Sequence, residues 1–480
     1  MPFNLNQTRI SRTDDILSLI QGNILSPYGR VYTRQIFFLL DEGQEGRRML
    51  ADLASFVTSA EKQQDLRRDA EKQQRLRRDA SETSEPSNDV FANLLLSAAG
   101  YERLGLASLA NSLSALDFAA AKDALTISDR DLFAQGLYRD GMTGQPSLRA
   151  FHDKVSDWQD KLQNRWHGLL WLTSDDPKTL VIAEGQAVAR VGEANCHVEP
   201  GKLLFNAAGR TKEHFGYADG ISQPLFFSDS IEAFTKWDPS APLSLALLPD
   251  PGVPPGEGYG SFLVFRKLEQ DVPQFEDMVS TIAKTIDAQS PQTHQERAGA
   301  MLVGRHKDGT PLVLDPAPQG TAANDFSNRD EDLEFTRCPG FSHVRRVNPR
   351  SDLILMKSFV RDSRIIRRGV PYGEQGGHPV GLLFAAFMSS IVGQFATLQR
   401  LWANSLELIR DQPGLDPVIG QVAPGTVIPA LQFPKAWNGP KGDTVSVSLS
   451  QAVKMRGGEY FFAPSIPFLR RLGQTTSTGD

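Results

Sequence analysis

The sequence predicts an α+β fold, and three stretches carry that expectation. Residues 260–270, GSFLVFRKLEQ, alternate apolar and polar side chains as a half-buried strand does. Residues 380–387, VGLLFAAF, form an apolar run of strand length. Residues 389–404, SSIVGQFATLQRLWAN, put Ile391, Phe395, Leu398 and Trp402 on one face at helical spacing. A strand-to-helix pattern recurs in both halves of the chain, which fits helices packed on sheets.

In chain order, VYTRQIFFLL at 31–40 reads as an early core strand, and 47–60 have helical periodicity. EKQQDLRRDA at 61–70 is then repeated as EKQQRLRRDA at 71–80, with Leu66 and Leu76 its only large apolar residues. Good helix formers and paired opposite charges predict a solvated helical or disordered insertion that adds no chemistry, ended by SETSEPSND. Residues 90–138, opening VFANLLLSAAGYERLGL, read as mainly helical. Residues 145–200 mix helix with short strands, LLWLTS and TLVIA. Pro and Gly crowd 236–260, a linker or long loop. A helix is expected over about 275–300, a loop at GRHKDGTPL (304–312), and an aromatic strand with a Pro turn at GGEYFFAPS (457–465).

At 480 residues the chain exceeds one compact core, so two domains are expected, 1–225 and 226–480. A net charge of −6 argues against nucleic acid as the partner. No apolar run approaches the ~20 residues of a membrane span. The opening MPFNLNQTRISRTDDILSL lacks the basic-then-apolar layout of a secretory signal, so a cytoplasmic location is expected. Cys196 and Cys338 are the only cysteines, too few for a disulfide framework. Without C-x-x-C-H, any haem is held without thioether links. Cys338 reads as a buried free thiol sooner than as a ligand.

The chemistry concentrates between Cys338 and Gly373. CPGFSHVRRVNPR (338–350) sets His343 among arginines, and RIIRRGVPYG (364–373) adds more. A neutral imidazole is a good iron, zinc or copper ligand, and guanidiniums bind carboxylates and oxyanions in a fixed fork. Together they suit a metal cofactor that carries carboxylates, such as haem. A hydrogen-bonded structural histidine and solvated arginines explain the same residues without a ligand.

A second motif, HFGYADGISQP at 214–224, contains Gly216-x-x-Asp219-Gly220. With CPGFSHVRRVNPR, RIIRRGVPYG, GLLFAAF, WAN, GGEYFFAPS and the early QGNIL (21–25), it resembles the dye-decolourising peroxidase family in content and order. The doubled decapeptide is no expected part of that pattern.

The resemblance implies two ferredoxin-like domains with antiparallel sheets, and one non-covalent haem b per chain in the C-terminal domain. It also implies use of hydrogen peroxide to oxidise dyes, phenols and other bulky reductants through a two-electron-oxidised haem. By position, His343 matches the haem-ligating histidine, Asp219 the distal acid–base and Arg367 the distal cation. Arg350 matches a haem-propionate partner, and Leu382 and Phe384 the apolar roof of the peroxide pocket. Tyr372 and Trp402 match residues that carry a radical outward, although Trp402 sits on its helix's apolar stripe and reads as core. A strand through 363–367 would put Arg367 on one face, with Arg364 and Arg368 on the other, salt-bridged or solvent-facing. An aspartate beside a cation also implies maximal turnover below neutral pH. The alternative reading is a haem-binding or haem-handling protein with incidental peroxidase activity, which needs no acid–base. Oligomeric state and physiological reductant are not encoded in any readable motif.

Overall fold

The computed structural model describes residues 3–78, 89–121, 127–231, 234–286, 291–353, 356–409 and 414–474. The first half supplies β1 (Tyr32–Phe38), α1 (Gly43–Ala54), α2 (Ala60–Arg78), β2 (Phe91–Leu96), β3 (Gly168–Ser174), α3 (Pro177–Val191) and β4 (Cys196–Lys202). The second supplies β5 (Tyr259–Gln270), α4 (Val272–Ala283), α5 (His343–Val347), β6 (Ile366–Arg367), β7 (Val370–Tyr372), β8 (Gly381–Met388), α6 (Ile391–Ala403) and β9 (Val453–Ala463).

These strands form one antiparallel row, β7-β8-β5-β9-β2-β3-β1-β4, with β6 alongside β8. The orders β4-β1-β3-β2 and β9-β5-β8-β7 are the same ferredoxin-like pattern used twice. The halves join at Phe462 opposite Leu96. At the far ends, Gly201 of β4 lies against Val370 and Pro371 of β7, so the outer strands also meet. The fold is α+β as expected, but β5, expected to be half-buried, has eleven of its twelve residues buried because both faces of the sheet are covered.

Side chains alternate across the row. Phe37, Leu169, Trp171, Leu263, Phe265, Leu383, Phe387 and Phe461 pack together on one face. On the other, Ile36, Phe38, Leu170 and Leu172 meet Leu50 and Leu53 of α1 and Leu180, Ala183 and Ala187 of α3.

Several local expectations need correction. FANLLL is a strand, not a helix: all six residues are buried and pair with β3. A strand covered on both faces loses the alternation that would reveal it. TLVIA lies inside α3, because the Asp176 carboxylate accepts from the amides of Lys178 and Thr179 and Pro177 fits the first turn. The helix expected over 275–300 is two, Val272–Ala283 and Pro291–Val303. The expected strand 363–367 shrinks to the two residues of β6, preceded by a helix over Lys357–Asp362. The predicted helix 389–404 begins at Ile391, and its wider winding closes Asn404 N–H on Gln399 O.

The tandem repeat is helical, but its first copy is not merely solvated. Gln63 and Gln64 are each 1% exposed. Gln63 Nε2 donates to the carbonyls of Ser26 and Pro27, and its Oε1 accepts from Asn23 N. Most of the SETSEPSND break lies outside the described residues.

Candidate active site

The face that α1 and α3 cover in the first half opens into a cavity in the second. Arg266, Leu268 and Gln270 of β5, Leu382 and Phe384 of β8, and Val453 and Met455 of β9 make its sheet wall. His343, Val344 and Val347 of α5, with Phe395 and Leu398 of α6, make a helical wall. The loop 213–224 and Arg367 complete it. About 280 Å³ is open to the centres of water molecules.

His343 opens the short α5. Its Nδ1 lies 2.9 Å from Oδ2 of Asp416, whose side chain is fully buried. The other Asp416 oxygen accepts from the amides of Val418 and Ile419 at 2.8 and 3.0 Å. A carboxylate fixed this way selects the Nδ1–H tautomer and frees Nε2, the geometry of a metal-ligating histidine. Asp416 stands 73 residues from His343 and carries no periodic or motif signal of its own.

Asp219 sits just past a turn closed by its neighbour Glu213, whose carboxylate accepts from the amides of Phe215 and Tyr217. Burial holds Glu213 above the ordinary carboxylate range, with Asp219 adding to the rise. Gly216 adopts φ 96°, which favours glycine there. Arg367 Nη2 lies 3.3 Å from Asp219 Oδ1, and each side chain is about one third exposed, at 31% and 35%. Gln223 grips the Arg367 backbone, accepting from its N–H and donating to its carbonyl. Asp219, Arg367 and His343 therefore line one cavity.

The other arginines divide. Arg345 is buried between Asp332 and Asp352, and Arg346 donates to the carbonyls of Ser405 and Gly414. Arg364 and Arg368, expected in salt bridges or in solvent, instead donate to backbone carbonyls. Arg350 is 1% exposed, held by the carbonyls of Asn324 and Phe326, the Asn324 amide oxygen and the faces of Phe326 and Trp237. It is not among the cavity-lining residues.

Arg305, from the loop GRHKDGTPL, does line the cavity. It is 4% exposed, and its Nη2 is buried without a partner among the described residues. Burial, with Arg367 nearby, pushes its pKa down to about 10. Such a guanidinium calls for an anion. Its spacing from His343 gave no sign of this in the sequence.

Leu382 and Phe384 face the cavity as their two-residue spacing predicts, while Leu383 is fully buried behind them. Trp402 is 2% exposed, edge-on to Phe359 and clustered with Leu398. Tyr372 is 7% exposed, its hydroxyl has no partner among the described residues, and Lys267 Nζ stands 4.7 Å from its ring centre. Cys338 lies 3.2 Å from the Ser342 hydroxyl, and burial pushes its thiol up to about 11 despite that contact.

Haem needs an imidazole with a free nitrogen, apolar faces and cations for its carboxylates. The tethered His343, the Leu382–Phe384–Leu398 surfaces and the unpartnered Nη2 of Arg305 fit those needs. Fold and cavity together thus suit a haem-binding protein.

Residues 254–411 match the family model described as Dyp-type peroxidase, C-terminal. The multifunctional dye peroxidase DyP2 of Amycolatopsis sp. is 33% identical, covering 98% of this chain and 100% of its own length. A dye-decolorizing peroxidase of Exidia glandulosa is 32% identical over 63% of this chain and 64% of its own. Among solved structures, the DyP-type peroxidase of Anabaena sp. superposes with a TM-score of 0.82 at 33% identity, over 98% of both chains. The DyP2 structure gives 0.80 at 30% identity, over 98% of this chain and 100% of that one. The chain belongs to the DyP-type peroxidase family. It is a haem-dependent peroxidase, and the haem-handling alternative is not favoured.

Proposed function

We propose that this protein holds one non-covalent haem b in the cavity and uses hydrogen peroxide to oxidise dyes and phenols. The observation that carries the reading is an Asp219–Arg367 pair lining the same cavity as a carboxylate-tethered His343. Haem, when bound, supplies an iron that reacts with the O–O bond and accepts electrons from reductants.

His343 would hold that iron through Nε2, while Asp416 keeps Nδ1 protonated and the ring aligned. Arg305, rather than the already satisfied Arg350, is the better partner for a propionate. Asp219 takes a proton from one peroxide oxygen and returns it to the other, so that water leaves. Arg367 presents fixed positive charge to the oxygen that becomes negative as the bond separates. Leu382 and Phe384 limit the volume above the site and exclude water from it.

Of the aromatic pair, Trp402 is the better electron carrier. It packs against cavity-lining Leu398, whereas Tyr372 has a cation over its ring and a hydroxyl without a hydrogen-bond partner among the described residues. Both are buried, so Trp402 acts as a relay rather than as the contact with a bulky dye. Residues 1–225 and 226–480 are read as the two ferredoxin-like domains, with the distal loop closing the first.

Stopped-flow mixing of the haem-loaded protein with hydrogen peroxide tests the assignment. Asp219→Ala and Arg367→Ala should each lower the bimolecular rate by about 100-fold or more, with the Soret band retained. Rapid reaction in both variants would overturn it.

A further inference from the structure

We propose that Arg368 is a positioning residue for Arg367, clamping the distal strand to the segment 23–27 that the first decapeptide holds in place. The inference rests on the reading of Arg367 as the distal cation. β6 is only two residues long and is paired on one side, to Ala386 and Phe387, so it needs other restraints to fix an arginine.

Arg368 supplies one. Its Nε donates to Asn23 O at 2.7 Å, its Nη2 to Ile24 O at 3.0 Å and its Nη1 to Arg367 O at 2.8 Å. Its own amide donates to Ala385 O at 2.7 Å. It is 8% exposed, with no carboxylate partner among the described residues. Burial, with repulsion from Arg67 and Arg367, brings its pKa to about 9. An apolar side chain would fill such a place without that cost, but only the planar fork reaches three carbonyls at once.

The far end of the clamp is tied in turn. Gln63 bonds Asn23, Ser26 and Pro27, and Arg67 Nη1 meets Ser26 Oγ at 2.5 Å. The first decapeptide thus connects through segment 23–27 and Arg368 to the Arg367 carbonyl. The docking residues named here, Gln63 and Arg67, belong to the first copy.

The test uses the haem-loaded ferric enzyme with fluoride, an iron ligand that accepts a hydrogen bond from a distal cation. Arg368→Met should weaken fluoride binding and slow the reaction with hydrogen peroxide by about tenfold each, because small misplacements of a positioned group cost this much or more. Dye turnover at saturating peroxide should change less than about twofold. Arg368→Lys, which keeps charge but loses the fork, should fall between. Gln63→Ala should move both readouts in the same direction by about twofold to threefold, and it carries the test if Arg368→Met does not fold. If Arg367→Ala leaves fluoride affinity unchanged, the distal assignment itself fails. If Arg367→Ala weakens fluoride while folded Arg368→Met and Gln63→Ala bind it normally, the clamp alone is wrong.

Discussion

The two halves of the row share one topology and treat the same face differently. In the first half, α1 and α3 lay Leu50, Leu53, Leu180 and Ala187 directly on Ile36, Leu170 and Leu172. In the second, Phe262, Val264, Ala386 and Met388 are covered in the same way, but Arg266, Leu268, Gln270, Leu382 and Phe384 further along those strands face open space. One strand thus serves as core at one end and as cavity wall at the other. The difference lies in what is laid over the sheet: beside α6, a five-residue helix and long loops cover this end and leave room that packed helices would fill.

That contrast can be broken by substitution. Leu172→Ala should cost about 2–5 kcal/mol in denaturant unfolding, because it empties a packed site. Leu382→Ala, on a wall that already borders open volume, should cost about 1 kcal/mol or less in the haem-free protein. Equal losses would mean that the cavity end is packed as tightly as the covered end. Next in size, Asp416→Asn should weaken haem affinity by about 10–100-fold in a Soret titration, leaving the first half's stability unaltered.

A smaller effect separates charge from packing. Glu459 is 2% exposed and buried without an ion pair among the described residues, which raises its pKa. A raised folded value means that its contribution to stability is fully present below the unfolded value of 4.5 and is lost as pH rises through the folded one. Glu459→Gln should therefore raise Tm at pH 7 by a few degrees, with little change at pH 4. The reverse pattern would show that the carboxylate is favourably paired. The smallest effect expected is that of deleting residues 71–80, which should leave peroxide reactivity within about twofold.

The legible parts of the molecule were those where a local pattern and a tertiary role coincide. The runs at 260–270 and 380–387 are the strands β5 and β8, the two-residue spacing of Leu382 and Phe384 puts both on the cavity wall, and Asp219 and Arg367, singled out by the resemblance of their motifs to the family's, line the same cavity. Asp416 and Arg305 were not visible, because nothing local distinguishes an aspartate that meets a distant imidazole or an arginine left without an anion. FANLLL and TLVIA were misread in opposite directions. The first is covered on both faces and shows no period, and the second is a β-branched run overruled by an aspartate cap. The charged decapeptide reads as uniformly hydrophilic, yet Gln63 and Gln64 of its first copy are buried; for Gln63, an amide with carbonyls and an amide N–H in reach loses little by leaving water.

The meeting of the first and last strands, Gly201 against Val370 and Pro371, has a consequence beyond shape. A β-structure whose rims face each other offers few bare amides on which a foreign strand could grow.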